Sequence, residues 1–254
     1  MKTSMRILVT FAVDWEFKPW LRLRQFQPAA SDQRLFRAQI EGGEIRVLLT
    51  GVGPSNAARS ICGAVEKLPD FCIVSGLAGG LKRQYRPGEI LVARSSKSES
   101  GTSVIESDDR LLTLAVEAGG KPVERFISAG RVVRTAGEKS QLSAVADAVD
   151  METFAIMKGM NDLCVPCVAV RSVADPAEMN LPCDFESALD DSGRVRIIKV
   201  LGQVARDPRQ VMPLAKLGLR SSRAAASLAR YLDRFASILV GHKEKMDLSV
   251  QHIG

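Results

Sequence analysis

Histidine is nearly absent from this chain of 254 residues. His242 and His252 are its two histidines, and both lie in the last thirteen residues. A multi-histidine metal site in the body of the chain is therefore excluded, and we predict neither a metal nor another cofactor. Aromatic residues make up only 5% of the sequence. That is too few for a surface that stacks successive nucleic-acid bases, so no nucleic-acid partner is predicted.

Cysteine is also scarce, and its number, five, is odd. The cysteines are scattered through apolar segments, which is typical of a reduced intracellular protein and not of a disulfide scaffold. Cys164 and Cys167 have the CxxC spacing, which leaves a redox or zinc role open. No second CxxC accompanies them, and their segment is apolar, so we predict that both are buried strand residues.

No apolar run approaches the length of about 18 to 20 residues that a membrane span requires. The apolar run Ile7–Val13 near the N-terminus follows basic residues and so resembles a signal peptide. It is short, is followed at once by Asp14, and lacks a small-residue cleavage site. We therefore interpret it as a first buried strand and predict a cytoplasmic protein.

The composition, with 46% hydrophobic and 25% charged residues, is that of an ordinary globular protein. Short apolar segments are followed by glycine-rich turns and helical stretches, which indicates an α/β protein with a mixed sheet covered by helices on both faces. A turn at residues 41–43 predicts a hairpin. The predicted strands are Ile7–Val13, Leu35–Ile40, Glu44–Thr50, Phe71–Val74, Gly88–Ala93, Arg131–Thr135 and Cys164–Val173. Helices are predicted at Ala57–Lys67, Asp108–Ala118 and within Gln141–Met160, which contains a strand-to-helix junction at Val149–Glu152.

The last part of the chain is strongly basic. Residues 193–254 contain twelve Lys or Arg and four Asp or Glu, whereas the whole chain has a net charge of +6. We predict helices at Ser192–Val204, Pro208–Leu219 and Ser221–Val240, and hence two units: an α/β domain over residues 1–185 and a helical extension over 186–254. The apolar stripe of these helices can pack on the domain or on a second subunit. Their basic face can also bind an anionic membrane or another polyanion.

Acidic residues and a glycine turn follow several predicted strands. Glu16 follows the first strand, the turn Ser75–Gly80 follows Phe71–Val74, Glu152 stands at the strand-to-helix junction, and Asp175 ends the last strand. Ligands of open α/β sheets gather beyond the carboxyl ends of the strands. Carboxylates there suit acid–base chemistry on an uncharged, hydroxylated substrate.

Three segments, in order, resemble the purine nucleoside phosphorylase and nucleosidase superfamily, above all its methylthioadenosine/S-adenosylhomocysteine nucleosidases. Ser75–Leu81 with Arg86–Val92 resembles the glycine turn and following strand of that family. Val149–Ala155 resembles its ribose-binding helix start, and Arg171–Ala177 resembles its catalytic strand. The likeness covers about residues 5 to 180. It implies a three-layer α/β/α fold, cleavage of the N-glycosidic bond of a purine nucleoside, with adenine favoured as the base, and assembly as a homodimer.

The resemblance also implies roles for individual residues. Asp175 would protonate N7 of the departing purine, and a carboxyl group in that role must hold its proton until the bond breaks. Glu152 would accept hydrogen bonds from the ribose hydroxyls, and Glu16 would activate the attacking water. Further substrate contacts would come from Met151, which packs on the sugar, and from Gly53, Ala78, Gly79 and Gly80.

The sequence departs from the family pattern at two positions. Leu77 replaces a small polar residue of the glycine turn. Ser140 stands where an aromatic residue would stack on the purine, and we predict it as a substrate-binding residue at that position. The segment Thr135–Ser140, the Asp-Met-Glu form of the helix start and the basic tail resemble instead the hopanoid-associated nucleoside phosphorylase-like proteins. That resemblance implies an adenosyl group linked to a lipid as substrate, and peripheral association of the tail with a membrane.

Hydrolysis and phosphorolysis are both compatible with the superfamily. Phosphate requires charge-assisted donors, whereas Val13–Glu16 brings two acids to the expected position of a phosphate loop, and Cys72–Ser75 brings no arginine. We therefore predict a hydrolase. A phosphate-dependent phosphorylase and a catalytically silent nucleoside-binding protein remain as alternatives.

Overall fold

The computed structural model describes residues 5–29, 32–64, 68–182 and 208–251. Within these ranges, eleven strands form one sheet in the order β2-β3-β4-β1-β5-β11-β6-β10-β9-β7-β8. The predicted helix at Ser192–Val204, Cys183 and the predicted domain boundary lie outside the described residues. The strands are β1 Met5–Phe11, β2 Gln27–Pro28, β3 Leu35–Ile40, β4 Gly43–Leu49, β5 Phe71–Val74, β6 Leu77–Gly80, β7 Ile90–Ser98, β8 Val104–Glu106, β9 Lys121–Ser128, β10 Ala148–Asp150 and β11 Cys167–Asp175.

The sheet is mixed, and part of it closes on itself. Strands β4, β1, β5 and β11 are parallel, so their carboxyl ends lie at one edge. Strand β11 is long enough to continue beside β6 and also to pair antiparallel with β7. Strand β6 pairs with β10, β10 pairs with β9, and β9 pairs with β7. These four strands and β11 therefore form a closed ring. Because β10 and β6 are antiparallel, the end of β10 lies next to the start of β6.

Helices cover both faces of the sheet and confirm the three-layer α/β/α fold. They are α1 Asp14–Leu23, α2 Pro54–Ala64, α3 Asp109–Glu117, α4 Ala136–Leu142, α5 Thr153–Asp162 and α6 Val211–Gln251, the last preceded by a short 3₁₀ turn at Pro208–Gln210. Helices α1, α3 and α6 share one hydrophobic cluster with the sheet, and α2 and α5 share another.

Helix α6 packs its apolar stripe into the larger core. Leu228, Leu232, Phe235 and Leu239 are all buried there, spaced three or four residues apart as one helical face requires. The expectation of two helices with a break near residue 220 is wrong. No proline or left-handed residue interrupts α6 at that point, and the buried stripe continues past it.

Two other local expectations are wrong, and one helix was not predicted. Residues 131–135 are irregular, because the backbone N–H groups of Arg134 and Thr135 donate to the Glu138 carboxylate and not to a neighbouring strand. The strand lies earlier, at β9. Glu16 stands in the first turn of α1, a helix that was not predicted. Cys164 is exposed at a positive φ of 55°, whereas Cys167 is buried as expected.

Candidate active site

A fully buried ion pair lies at the centre of the site. Arg171 of β11 is 1% exposed, and its Nε donates to Asp150 Oδ2 at 2.7 Å. Its Nη2 donates to the Thr153 hydroxyl at 2.7 Å. The other Asp150 oxygen accepts from the Ser128 hydroxyl at 2.6 Å. The end of β9, the end of β10, the start of α5 and β11 are thereby joined around one guanidinium group.

Two buried glutamates flank this pair. Glu16 accepts the backbone N–H groups of Ala12 and Leu77, both at 3.1 Å, and Glu152 accepts the N–H of Gly53 at 2.7 Å. Burial raises the pKa of Glu16, although the Arg171 charge and the backbone donors oppose the shift. Burial and then the charge of Asp150 raise the pKa of Glu152 to about 7. Each carboxylate has about four acceptor positions, so both retain free ones.

The positive charge of Arg171 is shared among these acids. Burial alone favours a neutral guanidine, but the charges of Asp150, Glu152 and Glu16 outweigh it, and the pKa of Arg171 is raised. Three carboxyl groups thus surround one cation. Because three carboxyl groups share one positive charge, a proton on one of the two glutamates is favoured. A glutamate in this situation can give up or accept a proton near neutral pH.

Asp175 ends β11 beside Gly79 of β6; the expectation of a glycine turn at Ser75–Gly80 is wrong for residues 77–80, because they pair with β11 and β10 as a strand. Its carboxylate faces Gly79, where an added Cβ would lie 3.2 Å from Oδ2. The same oxygen accepts a hydrogen bond from the ammonium group of Lys139, a side chain that is 0% exposed. Lys139 extends from α4, whose capping box between Thr135 and Glu138 fixes the start of the helix.

A cavity of about 100 Å³ lies against these groups. Asp150, Met151 and Asp175 line it together with Gly79 and Val149. Residues 131–133 and Leu181 complete its lining. The lining is largely apolar and includes two acidic residues, Asp150 and Asp175.

The structure brings together most of the residues that the sequence suggested. Glu16, Glu152, Gly53, Met151, Gly79 and Asp175 all lie in this cluster or its cavity. Ala78 and Gly80 point elsewhere: Ala78 is part of the hydrophobic core, and an added Cβ at Gly80 would meet Val173 and Tyr85. Ser140 is exposed on α4, and its neighbour Lys139 is the residue that reaches Asp175.

Sequence reasoning gave no role to Arg171, Asp150 and Lys139. The first two stand inside the motifs that were recognised, so their position was available, but their pairing was not. The pattern Thr-x-x-Glu at Thr135–Glu138 could have revealed the start of α4. It could not have shown that the next residue, Lys139, points inward.

Two searches over the described residues gave negative results. No group of three or more His, Cys, Asp or Glu side chains there could hold a metal ion. No helix in that part of the chain is long and apolar enough to cross a membrane.

Gly76 is expected to tolerate no side chain. Its φ is +151°, and an added Cβ would collide with the Arg171 guanidinium. Gly76→Ala should therefore lower the free energy of unfolding by about 2–4 kcal/mol, through backbone strain and displacement of a buried charge. Urea denaturation measures this. Gly130→Ala is the matched control, because an added Cβ there meets nothing within 4 Å. Equal stability of the two variants would contradict the prediction.

The raised pKa of Glu152 predicts a pH-dependent effect of Glu152→Gln. Between the ordinary value of 4.5 and about 7, the folded protein holds a proton that the unfolded chain has lost. This contribution to wild-type stability is complete below pH 4.5 and is lost as the pH rises through 7. The variant lacks this titration, so its stability relative to wild type should increase between pH 5 and pH 8 by on the order of 2 kcal/mol. Urea denaturation at both pH values tests this, with the exposed Glu99→Gln as control; a constant difference would refute it.

The family model of the phosphorylase superfamily matches residues 6–204. The chain therefore belongs to the phosphorylase superfamily.

Individual relatives are more distant. The 5′-methylthioadenosine/S-adenosylhomocysteine nucleosidase of Actinobacillus succinogenes is 25% identical over 195 residues, which cover 67% of this chain and 85% of that protein. The solved structure of the Neisseria meningitidis nucleosidase of the same name, in complex with methylthio-immucillin-A, has a TM-score of 0.68 at 18% identity, covering 93% and 99% of the two chains. The futalosine hydrolase of Helicobacter pylori has a TM-score of 0.69 at 17% identity, covering 92% and 98%.

Proposed function

We propose that the protein is an enzyme that hydrolyses the N-glycosidic bond of a purine nucleoside, with adenine as the favoured base. One observation carries the proposal: two buried glutamates with raised pKa share the charge network of Arg171 with Asp150, and Asp150 and Asp175 line one cavity. The superfamily and the nucleosidase names of the relatives support the same class of reaction.

The proposed reaction assigns one task to each acid. Glu152, held by the Gly53 N–H, accepts hydrogen bonds from the sugar hydroxyls and stabilises the positive charge that develops on the ring. Glu16 takes a proton from water, for which its raised pKa makes it a better base than an ordinary carboxylate. Asp175 delivers a proton to the purine as the bond between base and sugar breaks. Met151, in the cavity wall, packs on the sugar.

The charges at the site favour water over phosphate as the nucleophile. Arg171 donates to Asp150 and Thr153, and the ammonium of Lys139 has an acceptor for each of its three N–H groups. Both buried cations at the cluster are thus engaged. A phosphate dianion needs charge-assisted donors, and the nearby Glu16 and Glu152 oppose its approach.

The test is to incubate the protein with adenosine, 5′-methylthioadenosine, S-adenosylhomocysteine and inosine, with and without phosphate. Free base is followed by chromatography. We expect base release that does not depend on phosphate. Release that requires phosphate would identify the alternative, a phosphorylase. Binding without release from any of these nucleosides would favour a nucleoside-binding protein or a larger, lipid-linked adenosyl substrate.

We further propose that the protein is a cytoplasmic homodimer whose basic C-terminal helix can associate with anionic membranes. The dimer rests on the resemblance to the nucleosidases. For the membrane, the outer side of α6 carries the exposed Met212 (64%) and Leu219 (55%) near the exposed basic residues Lys216 and Arg223. Sedimentation measures the oligomer. Pelleting with anionic vesicles should weaken in a Lys216→Glu/Arg223→Glu double variant and not in Lys158→Glu, which lies on α5.

A further inference from the structure

Lys139 is a buried cation that the proposed reaction does not yet use. Lysine is almost never fully buried without a partner, because removing its charge from water is costly. Here the ammonium group donates to the Asp175 carboxylate and to the carbonyl oxygens of Pro176 at 3.0 Å and Met179 at 3.1 Å. An ammonium group has three N–H donors, so each has one acceptor.

These contacts place Lys139 behind Asp175 and not in the cavity. The residues that line the cavity include Asp175 but not Lys139. The start of α4 is fixed as well, because the Glu138 carboxylate accepts the backbone N–H of Thr135 and forms an ion pair with Arg131 at 2.5 Å. Lys139 therefore acts on a substrate only through the Asp175 carboxylate, to which it donates a hydrogen bond.

The ion pair has a consequence for proton transfer. The ammonium donates one of its N–H groups directly to the Asp175 carboxylate, and Asp175 is the member of the pair that lines the cavity. A proton for the leaving purine is therefore available on Nζ of Lys139, one hydrogen bond behind Asp175.

We propose that Lys139 is a positioning residue that also supplies the proton which Asp175 delivers to the leaving base; this rests on the proposed function. As the bond between C1′ and the purine nitrogen breaks, its electron pair moves to the base. The Asp175 O–H bond formed from the Lys139 N–H then breaks as the N–H bond of the purine forms. Lys139 is left as a neutral amine beside the carbonyl oxygens of Pro176 and Met179, and after the base departs it regains a proton through Asp175, which lines the cavity.

The test compares two substrates that differ in their need for a proton. A purine nucleoside must be protonated to leave, whereas 4-nitrophenyl riboside releases a stable anion without an acid. Lys139→Gln keeps an N–H donor for Asp175 but has no proton to transfer. It should lower kcat for the purine nucleoside by roughly 10²-fold or more and change kcat for the nitrophenyl riboside by less than about threefold. Lys139→Met should likewise lower kcat for the purine nucleoside far more than kcat for the nitrophenyl riboside.

The control variant is Lys158→Met, an exposed lysine of α5 whose partner is Asp162, which should change neither rate. Thermal unfolding of each variant reports whether it is folded. Equal losses on both substrates in a folded Lys139→Gln protein, or full activity on the purine nucleoside, would overturn the inference alone. If the wild-type protein releases no base from any purine nucleoside but cleaves the nitrophenyl riboside, the proposed function fails, and this inference with it.

Discussion

Asp175→Asn is expected to lower the rate of base release from a purine nucleoside by roughly 10²- to 10⁴-fold, which is what a positioned acid contributes. Asparagine cannot deliver a proton, but its amide oxygen can still accept the hydrogen bond of the Lys139 ammonium. This hydrogen bond is therefore retained, and the loss of rate should fall on kcat more than on KM. Steady-state kinetics with a purine nucleoside measures both constants.

The matched control for this variant is Asp162→Asn. Asp162 is also paired with a lysine, Lys158 at 2.7 Å, but it lies exposed on α5. This change should leave kcat as it is. A rate for Asp175→Asn within a few-fold of wild type would remove Asp175 from the reaction. An equal loss of kcat on 4-nitrophenyl riboside, whose leaving group needs no acid, would instead indicate a structural role.

Arg171→Met is expected to lower the free energy of unfolding by about 3–5 kcal/mol, because it leaves the buried Asp150 carboxylate without its cation. This is a large share of the 5–15 kcal/mol by which a typical domain is stable. The double variant Arg171→Met/Asp150→Asn should recover part of the loss, since it removes the uncompensated charge. Urea denaturation of the three proteins measures these differences.

An exposed pair provides the comparison for Arg171. Arg83 lies 3.2 Å from Glu178, with side chains 86% and 57% exposed. Arg83→Met should change the free energy of unfolding by less than about 1 kcal/mol, because solvent screens the pair. If Arg171→Met costs no more than Arg83→Met, the buried network does not stabilise the fold as argued.

Much of the architecture could be predicted from local sequence. The hairpin of β3 and β4, strand β5 and the junction before α5 lie close to their predicted positions. Their signals are short range, namely apolar runs bounded by glycines or acids. Helix α3 is a similar case, because Asp108 caps it by accepting the N–H groups of Arg110 and Leu111 at 3.0 Å.

Two of the errors have different causes, one local and one tertiary. Residues 131–135 have strand-like composition, but Glu138 binds their backbone N–H groups and leaves them irregular. Helix α1 is short, with a proline at Pro19, and its buried Phe17 and Trp20 gain their stability from the core. No local pattern predicts the contacts of Phe17 and Trp20, because tertiary packing outweighs weak intrinsic propensity.

The sequence by itself determined the fold class, the family likeness and the positions of Glu16, Glu152 and Asp175. Those features depend on hydrophobic periodicity and on residues that stand at strand ends, which a linear pattern records. Only the tertiary structure decided which charges meet: that Arg171 pairs with Asp150, and that Lys139, not Ser140, approaches Asp175. The energy of a buried charge depends on the groups around it in space, and residues 139 and 175 are brought together by the fold alone.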